Sequence, residues 1–364
     1  MLFDRLEISG LRNIDQAALD LSPGLNFFHG DNGAGKTAIL EAAHLLVRGR
    51  SFRSHRPREL IQRDQEQLTV RAMLIDPALG PRAVAMGRDR SGHTELKING
   101  LPERRLSEAA RLVPLQVMLP NVADLVFAGP GTRRQWLDWG TFHVKQDYLR
   151  IQRDYLRLLR QRNAALKADE VSSPEFEAWT AQLVQAAERV DAQRKSHIDA
   201  LRPLFTAVLA ALAPGLDVDL HYVRGWPEGE RLDKVLGEWG LREVKLGATQ
   251  VGPHRADVDL RVGDARAGGL LSRGQAKAVA SAMMVSQARL LANGLNQTSV
   301  FLIDDVGAEL DEGHNARFFQ LLDDMDSQIL ATSTHLPRGG SCYAGDRMEV
   351  FHVEHGRVRR SMND

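Results

Sequence analysis

The stretch Gly30-Asp31-Asn32-Gly33-Ala34-Gly35-Lys36-Thr37 fits G-x-x-x-x-G-K-[ST], and no other feature of the 364-residue chain constrains its fold as strongly. Before it, "GLNFF" predicts a buried strand; after it, "TAILEAAHLLV" has the spacing of an amphipathic helix. A strand, a glycine-rich loop and a helix in that order form a phosphate cradle on an α/β sheet. The glycines let backbone N–H groups curl around a phosphate, and the helix N-terminus adds its partial positive charge. In such a loop Lys36 reaches the β- and γ-phosphates and the Thr37 hydroxyl is a ligand for Mg²⁺. The prediction is a nucleoside-triphosphate site taking ATP and Mg²⁺.

The second half of such a site lies in "SVFLIDDVGAELD", Ser299 to Asp311. Val300 to Ile303 reads as a fully buried strand. It ends in Asp304 and Asp305, at the carboxyl edge where open α/β sheets place ligands. Asp304 suits the Mg²⁺ shell and Asp305 the attacking water, and Asp311 closes a "DDxxxELD" pattern. Between the halves, Ser272-Arg273-Gly274-Gln275 precedes a long helical run, with a serine cap and a glycine in an anion-receptive first turn.

"LSRGQ" resembles the LSGGQ signature of ABC-type ATPases, and "DDVGAELD" resembles their Walker B and D-loop, in the order of that class. The resemblance implies an α/β head of two lobes, with a mixed sheet and flanking helices. It also implies an ATP-dependent homodimer in which Ser272 and Gly274 meet the γ-phosphate held by a second copy. Gln275 and Asp311 join that nucleotide site, while Lys36, Thr37 and Asp304 act in cis. Gln116, in "VPLQVMLP", fits either a Q-loop glutamine that senses Mg²⁺ and the attacking water or an ordinary strand-end glutamine. His335, in "QILATSTHL", fits either the switch histidine or a plain loop residue.

About 230 residues separate Thr37 from Ser272, more than a transporter-type ATPase needs. Tyr148, Ile151, Tyr155, Leu158 and Ala165 follow a seven-residue repeat interrupted at Arg162, and a second helical run extends from Glu175 to Leu212. A run of that length reaches about 57 Å. The expected organisation is a head from residues 1–130 and 241–364, with a short helical arm inserted at 131–240. The acid and arginine in "MLFDRLEISG" do not fit a signal peptide, and no run approaches a membrane span, so the expected location is the cytoplasm. The single cysteine, Cys342, excludes an intrachain disulfide and a cysteine metal cluster.

The whole chain resembles the RecF family of bacterial recombination mediators. The likeness runs through "LEISGLRNI", "GDNGAGKT", "GRSFRS", "RRQWLDWG", "RQRNAAL", "GPHRADVDL", "LSRGQ" and "LIDDVGAELD". It departs at "LPNVADL", which lacks the Pro-Glu pair usual after the Q-loop position. The resemblance implies ATP-dependent binding to duplex DNA beside single-stranded gaps, and cooperation with RecR and RecO to load RecA. Net charge is zero, from 47 basic and 47 acidic residues, so any nucleic-acid face depends on where charge is concentrated. Arg48, Arg50, Arg53, Arg56, Arg58 and Arg63 fall within sixteen residues that hold one acid, Glu59. They suit a phosphate-binding patch, or a solvated loop paired with acids such as Glu66; Arg53 equally suits the nucleotide. A transporter ATPase subunit and a chromosome-structuring protein are the rival readings; the first leaves the helical insertion unexplained and the second needs longer arms.

Overall fold

The computed structural model describes residues 1–54, 56–76, 79–306, 312–335 and 347–361. In chain order the described strands are β1 (Leu2–Leu11), β2 (Ile14–Asp20), β3 (Leu25–His29), β4 (Gln67–Asp76), β5 (Gly80–Asp89), β6 (Thr94–Ile98), β7 (Leu101–Glu103), β8 (Leu115–Met118), β9 (Asp219–Val223), β10 (Asp257–Val262), β11 (Ala265–Arg266), β12 (Val300–Ile303), β13 (Gln328–Ser333), β14 (Met348–Glu354) and β15 (Arg357–Arg360). The chain divides into two compact units, Met1–Val122 with Leu291–Asp364, and Ala123–Leu290.

The first unit holds two sheets. One is antiparallel, in the order β2-β1-β4-β5-β6-β7. In β4, "QLTVRAMLID", Leu68, Val70, Ala72 and Leu74 alternate inward while their neighbours face out, the pattern of a sheet packed on one side. The other runs β15-β14-β3-β13-β12-β8, parallel from β14 to β8, with β15 folding back on β14. Its central strands "VFLI" and "QILATS" are buried at every residue, as expected of a parallel sheet covered on both faces. The helix Lys36–Arg48 packs against strands of both sheets and is buried on almost every side. Phe28, Ile39, Leu40 and Leu45 lie in the shared core with Leu6, Leu68 and Leu330.

The second unit is built on two long helices, Tyr148–Ala168 and Pro174–Leu212, packed side by side. The longer begins cleanly: the Ser173 hydroxyl accepts from the Phe176 N–H at 3.1 Å, Pro174 occupies the first turn, and Glu175 and Glu177 face the positive helix end. It buries a face from Leu183 to Leu212, so much of the expected arm is core helix. The division also departs from the expected boundaries. Residue 130 opens the helix Pro130–Val144, and residue 240 lies inside the helix Leu232–Leu246. The turn-rich "HYVRGWPEGERLD" begins in β9, which pairs antiparallel with β10 and so ties the segment before that turn to the segment after the helix.

Two of the quoted sequence stretches interlock in this unit, and a third is held by a buried ion pair. Arg133 of "RRQWLDWG" forks onto Asp257 of "GPHRADVDL" at 2.8 and 2.9 Å, and Arg134 donates to the Ala256 carbonyl at 2.8 Å. Asp138 holds Arg194 at 2.7 Å, and Arg194 in turn donates to the Pro253 carbonyl at 2.7 Å. Arg162 of "RQRNAAL" pairs with the buried Glu243 at 2.7 Å and donates to Thr249 at 2.7 Å. Arg162 broke the apolar repeat in the sequence because it is a buried cation with its own counter-charge.

Candidate nucleotide site and arginine loop

Within the parallel sheet, β13 lies between β3 and β12, so three strands running the same way bring their exits to one edge. β3 leads into the glycine-rich loop, β12 into Asp304 and Asp305, and β13 toward His335.

The loop conformation depends on its glycines. Gly30, Gly33 and Gly35 have φ of 151°, 80° and 118°, all disfavoured for residues with a Cβ. A Cβ on Gly30 would lie 2.1 Å from the Val353 carbonyl oxygen. The Asn13 side chain donates to the carbonyls of Gly33 and Ala34 at 3.2 and 3.0 Å, and the Gly356 N–H donates to the Ala34 carbonyl at 2.8 Å. The loop is therefore braced from outside by two turns. The helix that follows has no side-chain cap and no acid in its first turn, leaving its N-terminal N–H groups available to an anion.

Lys36 is nearly buried and donates to the carbonyls of Gly30 at 2.6 Å and Asp31 at 2.9 Å. Burial pushes its ammonium below the usual lysine range, against the pull of Asp305, Asp304 and Asp31. The Thr37 hydroxyl donates to Asp304 at 3.0 Å. Thr332, near the end of β13, donates to Asp304 at 2.7 Å and accepts from the Asp305 N–H at 2.8 Å. Asp304 is half-buried and Asp305 exposed, the latter with φ of 60°. A hydroxyl and a carboxylate in contact form an all-oxygen donor set that suits a hard divalent cation.

Gln116 is brought to a different level. It is buried inside β8 opposite Phe301, while Met118 at the end of β8 pairs with Ile303. Gln116 therefore lies three residues short of the Asp304 level, about 10 Å along the strand. Of its two readings, the ordinary strand glutamine fits this position. His335 is exposed, two residues past β13 on the converging edge, with its N–H donating to the Ser333 hydroxyl at 3.2 Å. Asp311 lies outside the described residues. In the second unit, Ser272, Gly274 and Gln275 are exposed at the start of the helix Arg273–Leu295. Ser272 and Gln275 form a reciprocal capping box, at 3.3 and 2.9 Å.

The arginine loop follows the helix Lys36–Arg48. Arg50, Arg53, Arg56, Arg58 and Arg63 are exposed, while Arg48 is half-buried. Burial and the neighbouring Arg50 bring the Arg48 guanidinium down to about 10. Arg56 pairs with Glu59 at 3.3 Å, and among the described residues none of the six pairs with Glu66. Asn13 and Thr332 escaped the sequence reading. Asn13 sits in the quoted "LRNI", but nothing in one sequence says that a hairpin tip reaches the phosphate loop.

Sheet, loop and carboxylate edge together define the P-loop head class shared by SMC-type proteins. The chain matches the family described as the RecF/RecN/SMC N terminal domain over residues 2–356. It is 37% identical over 358 residues to the DNA replication and repair protein RecF of Shewanella loihica, covering 98% of this chain and 99% of that one. To the RecF of Stutzerimonas stutzeri it is 38% identical over 366 residues, covering 98% and 97%. A solved structure of the recombination mediator protein RecF with ATP, of the RecFOR pathway, superposes with a TM-score of 0.87 at 23% identity over 99% of this chain and 98% of that one. An SMC head bound to the C-winged helix domain of ScpA gives 0.59 at 13% identity, covering 99% and 98%. The chain belongs to the RecF family of DNA replication and repair proteins.

Proposed function

We propose that this chain is an ATP-driven switch that dimerises on ATP, binds duplex DNA beside single-stranded gaps and, with RecR and RecO, helps to load RecA. The observation that carries the reading is the 3.0 Å contact between Thr37 and Asp304, which joins the two halves of the site across 267 positions of sequence. Thr37 and Asp304 would hold Mg²⁺, and Lys36 would leave its two carbonyls to meet the β- and γ-phosphates. The ion would offset phosphate charge; the side chains orient the triphosphate and, at Asp305, the attacking water. The exposure of Ser272, Gly274 and Gln275 at the start of their helix supports recognition of a second copy's γ-phosphate. Hydrolysis would reset the switch. The exposed arginines after Gly49 support phosphate contact with DNA. No helix among the described residues is long and apolar enough to cross a membrane.

Sedimentation with and without ATP and Mg²⁺, then with gapped duplex added, tests the proposal. Wild type should dimerise with ATP; Lys36→Ala should lose both ATP binding and dimer. Ser272→Arg should bind ATP as a monomer without pairing. Wild-type ATP affinity in Lys36→Ala would sink the phosphate role of the loop, and an ATP-induced Ser272→Arg dimer would sink the action in trans.

A further inference from the structure

One fully buried carboxylate in the first unit has no part in the nucleotide site. Glu41 lies in the helix Lys36–Arg48, one turn beyond Thr37, with its side chain wholly shielded from solvent. A buried carboxylate persists only where donors satisfy it, and Glu41 has three. Arg12 forks onto it at 2.9 and 2.8 Å, and the Ser51 hydroxyl donates to it as well.

Each partner leads elsewhere. Arg12 occupies a two-residue hairpin tip with φ of 56°, and its neighbour Asn13 holds the phosphate-loop carbonyls. Arg12 also donates to the Glu59 carbonyl at 2.7 Å. Ser51 accepts from the N–H groups of Arg53 at 2.8 Å and Ser54 at 3.0 Å, which sets the turn carrying the arginines. A parallel tether helps: His44, on the same helix, bonds the Arg50 carbonyl through Nδ1 at 2.6 Å. Burial takes the His44 imidazole down to about 3, so it is neutral and donates there. Phosphate loop, hairpin tip, helix and arginine loop thus form one hydrogen-bonded chain with Glu41 at its centre.

We propose that Glu41, acting through Ser51, is a positioning residue for nucleic-acid binding: it presents Arg50, Arg53, Arg56 and Arg58 as a preset array in the loop after the phosphate-loop helix. The proposal rests on reading the arginine loop as the DNA contact. A long exposed arginine otherwise loses rotamer and loop freedom on each phosphate it meets. A loop already fixed by Ser51 has less to lose, and more of its charge acts at once.

The test uses the full chain with ATP and a fluorescein-labelled gapped duplex. Ser51→Ala cuts the loop from Glu41 while the Arg12 fork stays, so the core is kept; Glu41→Gln weakens both arms; Ser51→Thr restores the hydroxyl. In Ser51→Ala, amide hydrogen exchange at Arg53 and Ser54 should quicken by about tenfold or more. DNA affinity should drop about five- to tenfold, and the slope of log affinity against log salt should become shallower by about 1 to 2. ATP affinity should stay within about twofold. Ser51→Thr should recover both exchange and DNA binding. Faster exchange with unchanged DNA affinity and slope overturns the proposal, as does a parallel loss of ATP and DNA affinity. Wild-type protein without salt-sensitive DNA binding overturns instead the reading of the arginine loop on which it rests.

Discussion

Thr332 links the two acidic residues at the end of β12: its hydroxyl donates to the Asp304 carboxylate at 2.7 Å and accepts the Asp305 N–H at 2.8 Å. Asp305 has φ of 60°, a left-handed conformation that costs a residue with a Cβ roughly 1 kcal/mol or more. The hydroxyl offsets that cost and keeps the two carboxylates in register. Thr332→Val preserves shape and β propensity but removes both contacts. ATP hydrolysis should fall about tenfold while ATP affinity changes little, because a displaced water-orienting group slows chemistry more than binding. Steady-state hydrolysis with a separate equilibrium titration checks this, and equal losses in both would assign Thr332 to binding.

The local parts of the site were legible because their chemistry is local. "GDNGAGKT" announces its loop through glycines that alone tolerate φ of 80° to 151°. "VFLIDD" announces a buried strand ending in charge. The bracing residues were not legible, since Asn13, Thr332 and Gly356 reach the site only through sheet order and hairpin placement. For Gln116 the sequence left two readings open, since its pattern gave a strand but not how far along that strand the carboxylates lie. The arm was half legible. Helical period was clear in the two runs, whereas Arg162 stood only as a break in the apolar repeat, because its partner Glu243 lies in another helix.

Arg133 tests whether the interlocked stretches are structural. Besides its fork onto Asp257, it donates to the carbonyls of Leu125, Val126 and Ala128 at 3.3, 3.3 and 2.8 Å. Arg133→Met keeps the aliphatic stem and strands both the carboxylate and the carbonyls. The second unit should lose about 3 kcal/mol. Thermal unfolding should show a lower midpoint for that unit, with ATP affinity unaffected. An unchanged midpoint would mean that water replaces the guanidinium.

Two buried histidines, His44 and His197, and the half-buried His254 predict acid sensitivity. Burial lowers His44 to about 3, and His197 and His254 to about 4. All three folded values lie below the unfolded value of about 6.5, so the unfolded chain binds more protons in between. Their stabilisation is present above about pH 6.5 and is lost as pH falls toward 4. Each should cost about 2 kcal/mol between pH 7 and 5. His44→Gln can still donate to the Arg50 carbonyl and should flatten the fall in melting temperature of the first unit over that range. An unchanged pH slope would mean that His44 is protonated in the fold.

The adjacent carboxylates should separate binding from turnover. Asp304 is half-buried and accepts from both Thr37 and Thr332, whereas Asp305 is exposed and is held to Thr332 through its N–H. Asp304→Asn keeps an oxygen acceptor for both hydroxyls and loses the charge that a hard cation requires. It should therefore weaken Mg²⁺-dependent ATP binding, by about tenfold or more, without unfolding the sheet edge. Asp305→Asn removes the carboxylate charge and leaves the Thr332 tether intact, since that contact uses the backbone. ATP binding and ATP-induced dimerisation should persist, hydrolysis should slow by about two orders of magnitude, and residence on gapped DNA should lengthen. Hydrolysis and DNA dissociation measured side by side decide the matter. Unchanged hydrolysis in Asp305→Asn, with Asp304→Asn inactive, would move the water-orienting role away from Asp305 and leave His335, on the same sheet edge, as the next residue to substitute.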